Sequence, residues 1–205
     1  MEEFKLPVLA VSPCESAEPS PMPGETPASY AVRAAAAKSA SLLPLLTGPE
    51  AGGLFHSTAP GVLPSNAVII AADTVVALDG RIFGKPRNPE EALEFLRLLS
   101  GTTHEVITGC ALEGAGLREH FFCRTLVSMW ACPDALLSAY AAGGEPMDKA
   151  GAYAIQGQGA VLVDSIQGSW SNVVGLPVAE TIQALLRMGA ITAEPSACVD
   201  HVTRD

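Results

Sequence analysis

Six apolar residues in a row, Ala67-Val68-Ile69-Ile70-Ala71-Ala72, run directly into a carboxylate at Asp73. A run of this kind, bounded by turn formers, suits a strand buried on both faces, because no alternate position is left for water. Such a strand needs partners, and the chain supplies them. Val75 to Leu78, Asp79-Gly80 and Arg81-Ile82-Phe83 read as a hairpin, since Asp-Gly tolerates the positive φ values of a type I′ turn. His104 to Leu112 and Phe121 to Trp130 read as two strands across a Gly-rich turn, and Ala160 to Ile166 as a further one.

Helical patterns fall between these strands. One is expected from about Pro27 through Leu46, rich in Ala and carrying Lys38. Asn88-Pro89-Glu90-Glu91 has the N-cap, the first-turn proline and the glutamate three residues after the cap that open a helix. Ala92, Phe95, Leu96 and Leu99 then share one face, and Gly101 stops it. Pro133 to Ala142 forms a short helix. Pro177 opens the last one, with Val178, Ile182, Leu185 and Leu186 at helical spacing and Gly189 beyond. Strands and helices in this order predict an α/β fold, a mixed twisted sheet flanked by helices. At 205 residues the expectation is one domain over 1–190, with a Pro-rich start and a tail from 191 to 205. The Gly- and Pro-rich stretch 47–66 is expected as a flexible surface insertion.

Charge narrows the function. The net charge is −10 with only 12 Lys and Arg, and no basic block exists. That argues against a nucleic-acid polymer or an anionic membrane as partner. A small phosphorylated ligand needs only a few well-placed cations. Five scattered cysteines without a CxxC read as free thiols of a reducing compartment. With no signal-peptide pattern and no apolar run of membrane-spanning length, the expected location is cytoplasmic.

Three segments concentrate chemistry. Asp73 ends the apolar run, where a carboxylate is costly unless it is used or paired. It is a general base, a carboxylate shared between a metal and an attacking water, or a strand-end turn cap. Lys85 sits in Phe83-Gly84-Lys85-Pro86 and Lys149 beside Asp148, two residues before Gly151. With Lys38 they are phosphate-meeting point charges or ordinary solvated lysines. Gln156, between Ile155 and Gly157, projects from a strand to read the edge of a base, or is a satisfied turn glutamine. Gly168 to Pro177 offers backbone N–H groups to an anion at the start of the last helix, or is a plain connection. His104-Glu105 lacks the second histidine of a zinc protease, and Gly157-Gln158-Gly159 lacks the third glycine of a dinucleotide fingerprint.

Together these segments resemble the Maf family of nucleoside triphosphate pyrophosphatases. The resemblance rests on Ala72-Asp73-Thr74-Val75-Val76, Gly84-Lys85-Pro86, Leu99-Ser100-Gly101, His104-Glu105-Val106 with Thr108-Gly109, Pro146 to Tyr153 with Ile155-Gln156-Gly157, and Asn172 to Pro177. It runs in order from about residue 5 to 190. It implies hydrolysis of a nucleoside triphosphate to monophosphate and pyrophosphate with a divalent metal, Mg²⁺ or Mn²⁺. Asp73 would be the catalytic base, and Lys38, Lys85 and Lys149 would lie near the triphosphate. Thr74 and Gln156 would stand where the branch preferring dTTP and UTP reads the pyrimidine. Glu18, with Asp73, would serve the metal. A homodimer is also implied, since dimers are common in the family. Family members open with a strand and a Ser-x-Ser-Pro-Arg-Arg segment, and the sequence resembles them only after that point. The expectation is a truncated member, with a catalytically weak nucleotide-binding or cell-division regulatory protein as the alternative.

Overall fold

The computed structural model describes residues 19–47, 67–114 and 116–192. A five-stranded sheet organises them. Helix α1 (Pro27–Thr47) precedes β1 (Ile69–Leu78), β2 (Arg81–Phe83), α2 (Pro89–Leu99), β3 (Thr103–Gly114) and β4 (Leu117–Met129). Then come α3 (Asp134–Ala142), three short 3₁₀ turns, β5 (Val163–Gln167), α4 (Trp170–Val174) and α5 (Val178–Arg187). The strand order is β2-β1-β3-β4-β5, and every described pairing is antiparallel. Helices lie on both faces, as the α/β expectation requires. Among the described residues, no helix is long and apolar enough to cross a membrane.

The two faces of the sheet are covered differently. Residues 71, 73, 75 and 77 of β1 and 107, 109 and 111 of β3 face α1, since side chains alternate along a strand. There Val75 and Ile107 pack on Tyr30, Ala31 and Ala34. A stripe of alanines at helical spacing lets α1 lie close to the sheet. Lys38 follows on the same face, two turns after Ala31. The opposite face holds the larger core, where Val76, Val106 and Val127 meet Phe95, Leu96 and Leu99 of α2 and Leu137 and Tyr140 of α3. Further along the same face, Cys110 and Leu112 pack on Ala184 and Leu185 of α5.

Helix α2 forms where its pattern placed it. Asn88 Oδ1 accepts from the Glu91 N–H at 2.8 Å, a cap contributing about 1 kcal/mol. Phe95, Leu96 and Leu99 are buried, each contributing about 1.5–3 kcal/mol. The hairpin also forms as read: Asp79 and Gly80 have φ of 51° and 79°.

Other expectations are corrected. The apolar run ends before Asp73 but the strand does not: β1 starts at Ile69 and continues unbroken to Leu78. Its first residues are only half-buried, so the run is not sealed on both faces. Residues 160–166 are not one strand: a 3₁₀ turn occupies Gln158–Leu162 before β5 begins. The cause is a contact from outside the segment, because the Gln158 and Gly159 N–H groups turn inward to the Glu145 carboxylate. In α5, Leu186 is 41% exposed, while Thr181 and Ala184 are buried in its place. The Thr181 hydroxyl tolerates burial by donating to the Pro177 carbonyl at 2.8 Å. Residues 168–177 are not an open connection either, since α4 lies within them. The expected insertion falls outside the described residues from 48 to 66, and the tail from 193 onward.

Candidate active site

Pairing between β1 and β2 is confined to Val76–Leu78, whereas β1 pairs β3 from Ile69 to Ala77. A cleft of about 520 Å³ runs past β1 around the start of that hairpin and reaches both faces of the sheet. This is an ordinary volume for a small-molecule site. Lys38, Asp73, Thr74, Lys85, Lys149 and Gln156 all line it. Six of the seven expected site residues are thus brought together from five separate segments. The seventh, Glu18, lies outside the described residues.

Asp73 is 6% exposed and makes an ion pair with Lys38 from α1. A buried carboxylate is stable only with such a partner. The turn-cap alternative therefore falls away. Gly109 stands directly across the ladder from Asp73. Its missing Cβ is what lets α1 approach, as a side chain there would strike the Ala31 backbone.

Thr74, the next residue, points to the other face. Its hydroxyl lies 2.9 Å from that of Thr108, its direct partner on β3. Thr108 in turn donates to the Asn172 carbonyl at 3.1 Å. Around Thr74 the wall is largely apolar, from Val76, Val106, Tyr153, Ile155, Val173 and Val174. A flat heterocycle suits such a wall, with the few polar groups fixing its orientation.

The lysines come from two loops tied to each other. The Gly151 N–H donates to the Gly84 carbonyl at 3.1 Å, which sets Lys85 and Lys149 on one side of the cleft. Gly151 has φ of 70°, and a Cβ there would lie 2.8 Å from the Val76 side chain, so the loop requires glycine. Lys149 binds the adjacent Asp148 at 2.6 Å and holds that carboxyl below its usual range.

Gln156 does not project from a strand. It is exposed on a turn at residues 155–156, and no described residue hydrogen-bonds its carboxamide. The turn is anchored behind by Glu145, whose carboxylate accepts from the Tyr140 hydroxyl at 2.7 Å, Gln158 N at 3.0 Å and Gly159 N at 2.9 Å. Tyr140 also accepts from the Ala154 N–H at 3.1 Å. These contacts hold the Glu145 carboxyl low, the tyrosine hydroxyl foremost. Tyr153, which forms part of the cleft wall, is backed by His104 at 2.8 Å.

Reasoning from sequence missed Thr108, Glu145 and Tyr140 as supports. Thr108 and Glu145 stand in plain view beside Gly109 and Pro146, yet nothing in their spacing shows what they touch. The backbone donors expected of 168–177 are also largely spent. Ser169 caps α4 by accepting from the Asn172 N–H, and the Gly175 and Leu176 N–H groups bond within the segment.

Among the described residues no cluster of three or more metal-ligating side chains exists. The cleft's carboxylates, Asp73 and Asp148, nevertheless fit Mg²⁺ or Mn²⁺. Such ions are commonly held by one or two carboxylates together with substrate phosphates and water.

Fold and cleft define an α/β protein whose cleft is lined by three lysines and one buried aspartate, ion-paired to the first of them, beside a largely apolar wall. The chain belongs to the Maf family: the family described as Maf-like protein matches residues 1–188. A protein of Nitratidesulfovibrio vulgaris named dTTP/UTP pyrophosphatase is 49% identical over 191 residues, covering 93% of this chain and 82% of its own. One of Oleidesulfovibrio alaskensis with the same name is 44% identical over 186 residues, or 89% and 77% of the two chains. A third, from Myxococcus xanthus and also so named, is 53% identical over 123 residues, or 60% and 62%.

Proposed function

We propose that this chain is a nucleoside triphosphate pyrophosphatase that hydrolyses dTTP or UTP to the monophosphate and pyrophosphate with the help of a divalent metal. The observation that carries the reading is the buried Asp73–Lys38 pair in a cleft that Lys85 and Lys149 also line. The names of the relatives and the family match support it. The match over residues 1–188 likewise supports reading the chain as one domain.

In this reading Lys85 and Lys149 bind the triphosphate as point charges, and Asp148 keeps Lys149 in place. Asp73 takes the proton from a water whose oxygen attacks the α-phosphorus. The bond from that phosphorus to the oxygen bridging to the β-phosphate then breaks, and pyrophosphate leaves. Lys38 offsets the charge at Asp73 and orients its carboxylate. Thr74 and Gln156 contact the base. Asp73 and the substrate phosphates would hold Mg²⁺ or Mn²⁺, which would supply charge neutralisation at the triphosphate.

The test is incubation with dTTP, UTP, CTP and GTP in Mg²⁺ or Mn²⁺, with pyrophosphate and orthophosphate measured separately. Pyrophosphate from dTTP or UTP supports the reading, and orthophosphate alone removes it. Nucleotide binding without turnover would point to the nucleotide-binding alternative.

A further inference from the structure

Building on that reading, we infer that Thr108, which lies behind the cleft wall, sets the base selectivity of the site by fixing the hydrogen-bonding polarity of Thr74. A hydroxyl carries one donatable hydrogen and can otherwise only accept. Thr108 is fully buried, and its hydroxyl lies 3.1 Å from the Asn172 carbonyl, which can only accept. That carbonyl also accepts from the Gly175 N–H at 3.0 Å, but two oxygens 3.1 Å apart still need a hydrogen between them, and of the two only Thr108 carries one. With the Thr108 hydrogen placed there, the contact of 2.9 Å between the two threonines runs from Thr74 to Thr108. The Gly175 carbonyl is also acceptor-only and lies farther away, at 3.5 Å from Thr74 Oγ1. Whichever of these Thr74 donates to, its hydrogen is spent inside the protein. What it shows the cleft is a lone pair.

Gln156 cannot supply the same discrimination. Its carboxamide is exposed on a turn with no described partner, so a half-rotation exchanges its oxygen and nitrogen. It can meet a ring carbonyl or a ring amine equally well. The fixed acceptor is Thr74, and its complement is a ring N–H. Uracil and thymine carry one at N3; cytosine has a lone pair at that position. The chain Asn172–Thr108–Thr74 thus selects pyrimidines with an imino hydrogen. Thr108 acts as a positioning residue, since it touches Thr74 and not the substrate.

The test compares kcat/KM for UTP and CTP in wild type, Thr108→Val and Thr108→Ser. Thr108→Val has nearly the same shape but no acceptor, which leaves the Thr74 hydrogen only the 3.5 Å contact with the Gly175 carbonyl, long enough for an acceptor on the ligand to draw it into the cleft. The UTP-to-CTP ratio should fall by about 10-fold or more, mainly through KM, because sites that hydrogen-bond a ligand N–H discriminate strongly. Thr108→Ser restores the hydroxyl and should restore the ratio. If Thr108→Val fails to fold by thermal melt, Thr108→Cys, a poor acceptor, takes its place and should show the same loss. An unchanged ratio in a folded valine or cysteine variant would overturn the inference. So would a serine variant as unselective as valine, or a wild type that uses UTP and CTP equally. Those results leave the pyrophosphatase reading standing, whereas a wild type that releases no pyrophosphate from any nucleotide removes both.

Discussion

Gly109 and Ala31 meet backbone to backbone: a Cβ added to Gly109 would stand 2.2 Å from the Ala31 carbonyl carbon. The contact fixes how deeply α1 seats on the sheet, and with it the reach of Lys38 to Asp73. Gly109→Ala must push the helix outward. Overpacking of this kind costs about 1–3 kcal/mol, and the ion pair is strained along with it. Urea unfolding should show that loss, and turnover should fall together with stability. A variant with wild-type stability and turnover would contradict the seating.

Asp73→Asn keeps the shape of the side chain and removes its ability to take a proton. Turnover should drop by about 10²–10⁴-fold. Far-UV circular dichroism should match wild type, although Lys38 loses its charged partner and some stability goes with it. Unchanged turnover would take Asp73 out of the mechanism.

Glu145→Ala removes the acceptor for the Tyr140 hydroxyl and for the Gln158 and Gly159 N–H groups. Leaving such donors unpaired costs about 1–3 kcal/mol. Amides 158 and 159 should exchange hydrogen faster, and KM should rise more than kcat falls, because the Gln156 turn loosens while Asp73 is untouched. Glu145→Gln, which retains one acceptor oxygen, should lie between the two.

His104 gives a pH signature. It is 1% exposed, and burial lowers its pKa from 6.5 to about 4. The unfolded chain therefore binds the proton more readily than the folded one between these values. Stability from this group is complete above about pH 6.5 and is lost as pH falls toward 4, by roughly 3 kcal/mol in all. Urea midpoints at pH 7.5 and 5 should diverge in wild type and converge in His104→Gln. Equal divergence in both proteins would assign the acid sensitivity to other groups.

How far the sequence carried the site depends on the distance over which each signal acts. Asp73 was legible because a charge at the end of an apolar run is anomalous on its own. Asn88 and the α2 face were legible because caps and helical spacing act within a few residues. Gln156, between Ile155 and Gly157, reads as able to project from a strand. The Glu145 carboxylate, bound to amides 13 and 14 residues away, turns that segment instead. The Thr74–Thr108 pair spans 34 residues, and Thr108 to Asn172 a further 64. Contacts of that separation have no local periodicity to betray them. Leu186 shows the limit of spacing itself. Its spacing was helical, but the buried stripe of α5 is shifted to include Thr181, whose polarity is masked by a bond to its own helix.

Asp73 and Thr74 are neighbours in sequence that face opposite sides of the sheet. In the proposed reading, one strand therefore presents the reactive group to one layer of the molecule and the base-sensing group to the other. Point changes at position 74 can retune substrate choice while the proton-accepting side stays intact. A single-residue insertion or deletion upstream in β1 has the contrary effect, because it rotates every following side chain by half a turn and exchanges the two tasks at once. The lineage of such a protein is free to drift in preference one substitution at a time, whereas a change in the length of this strand disturbs both tasks together unless a bulge absorbs it.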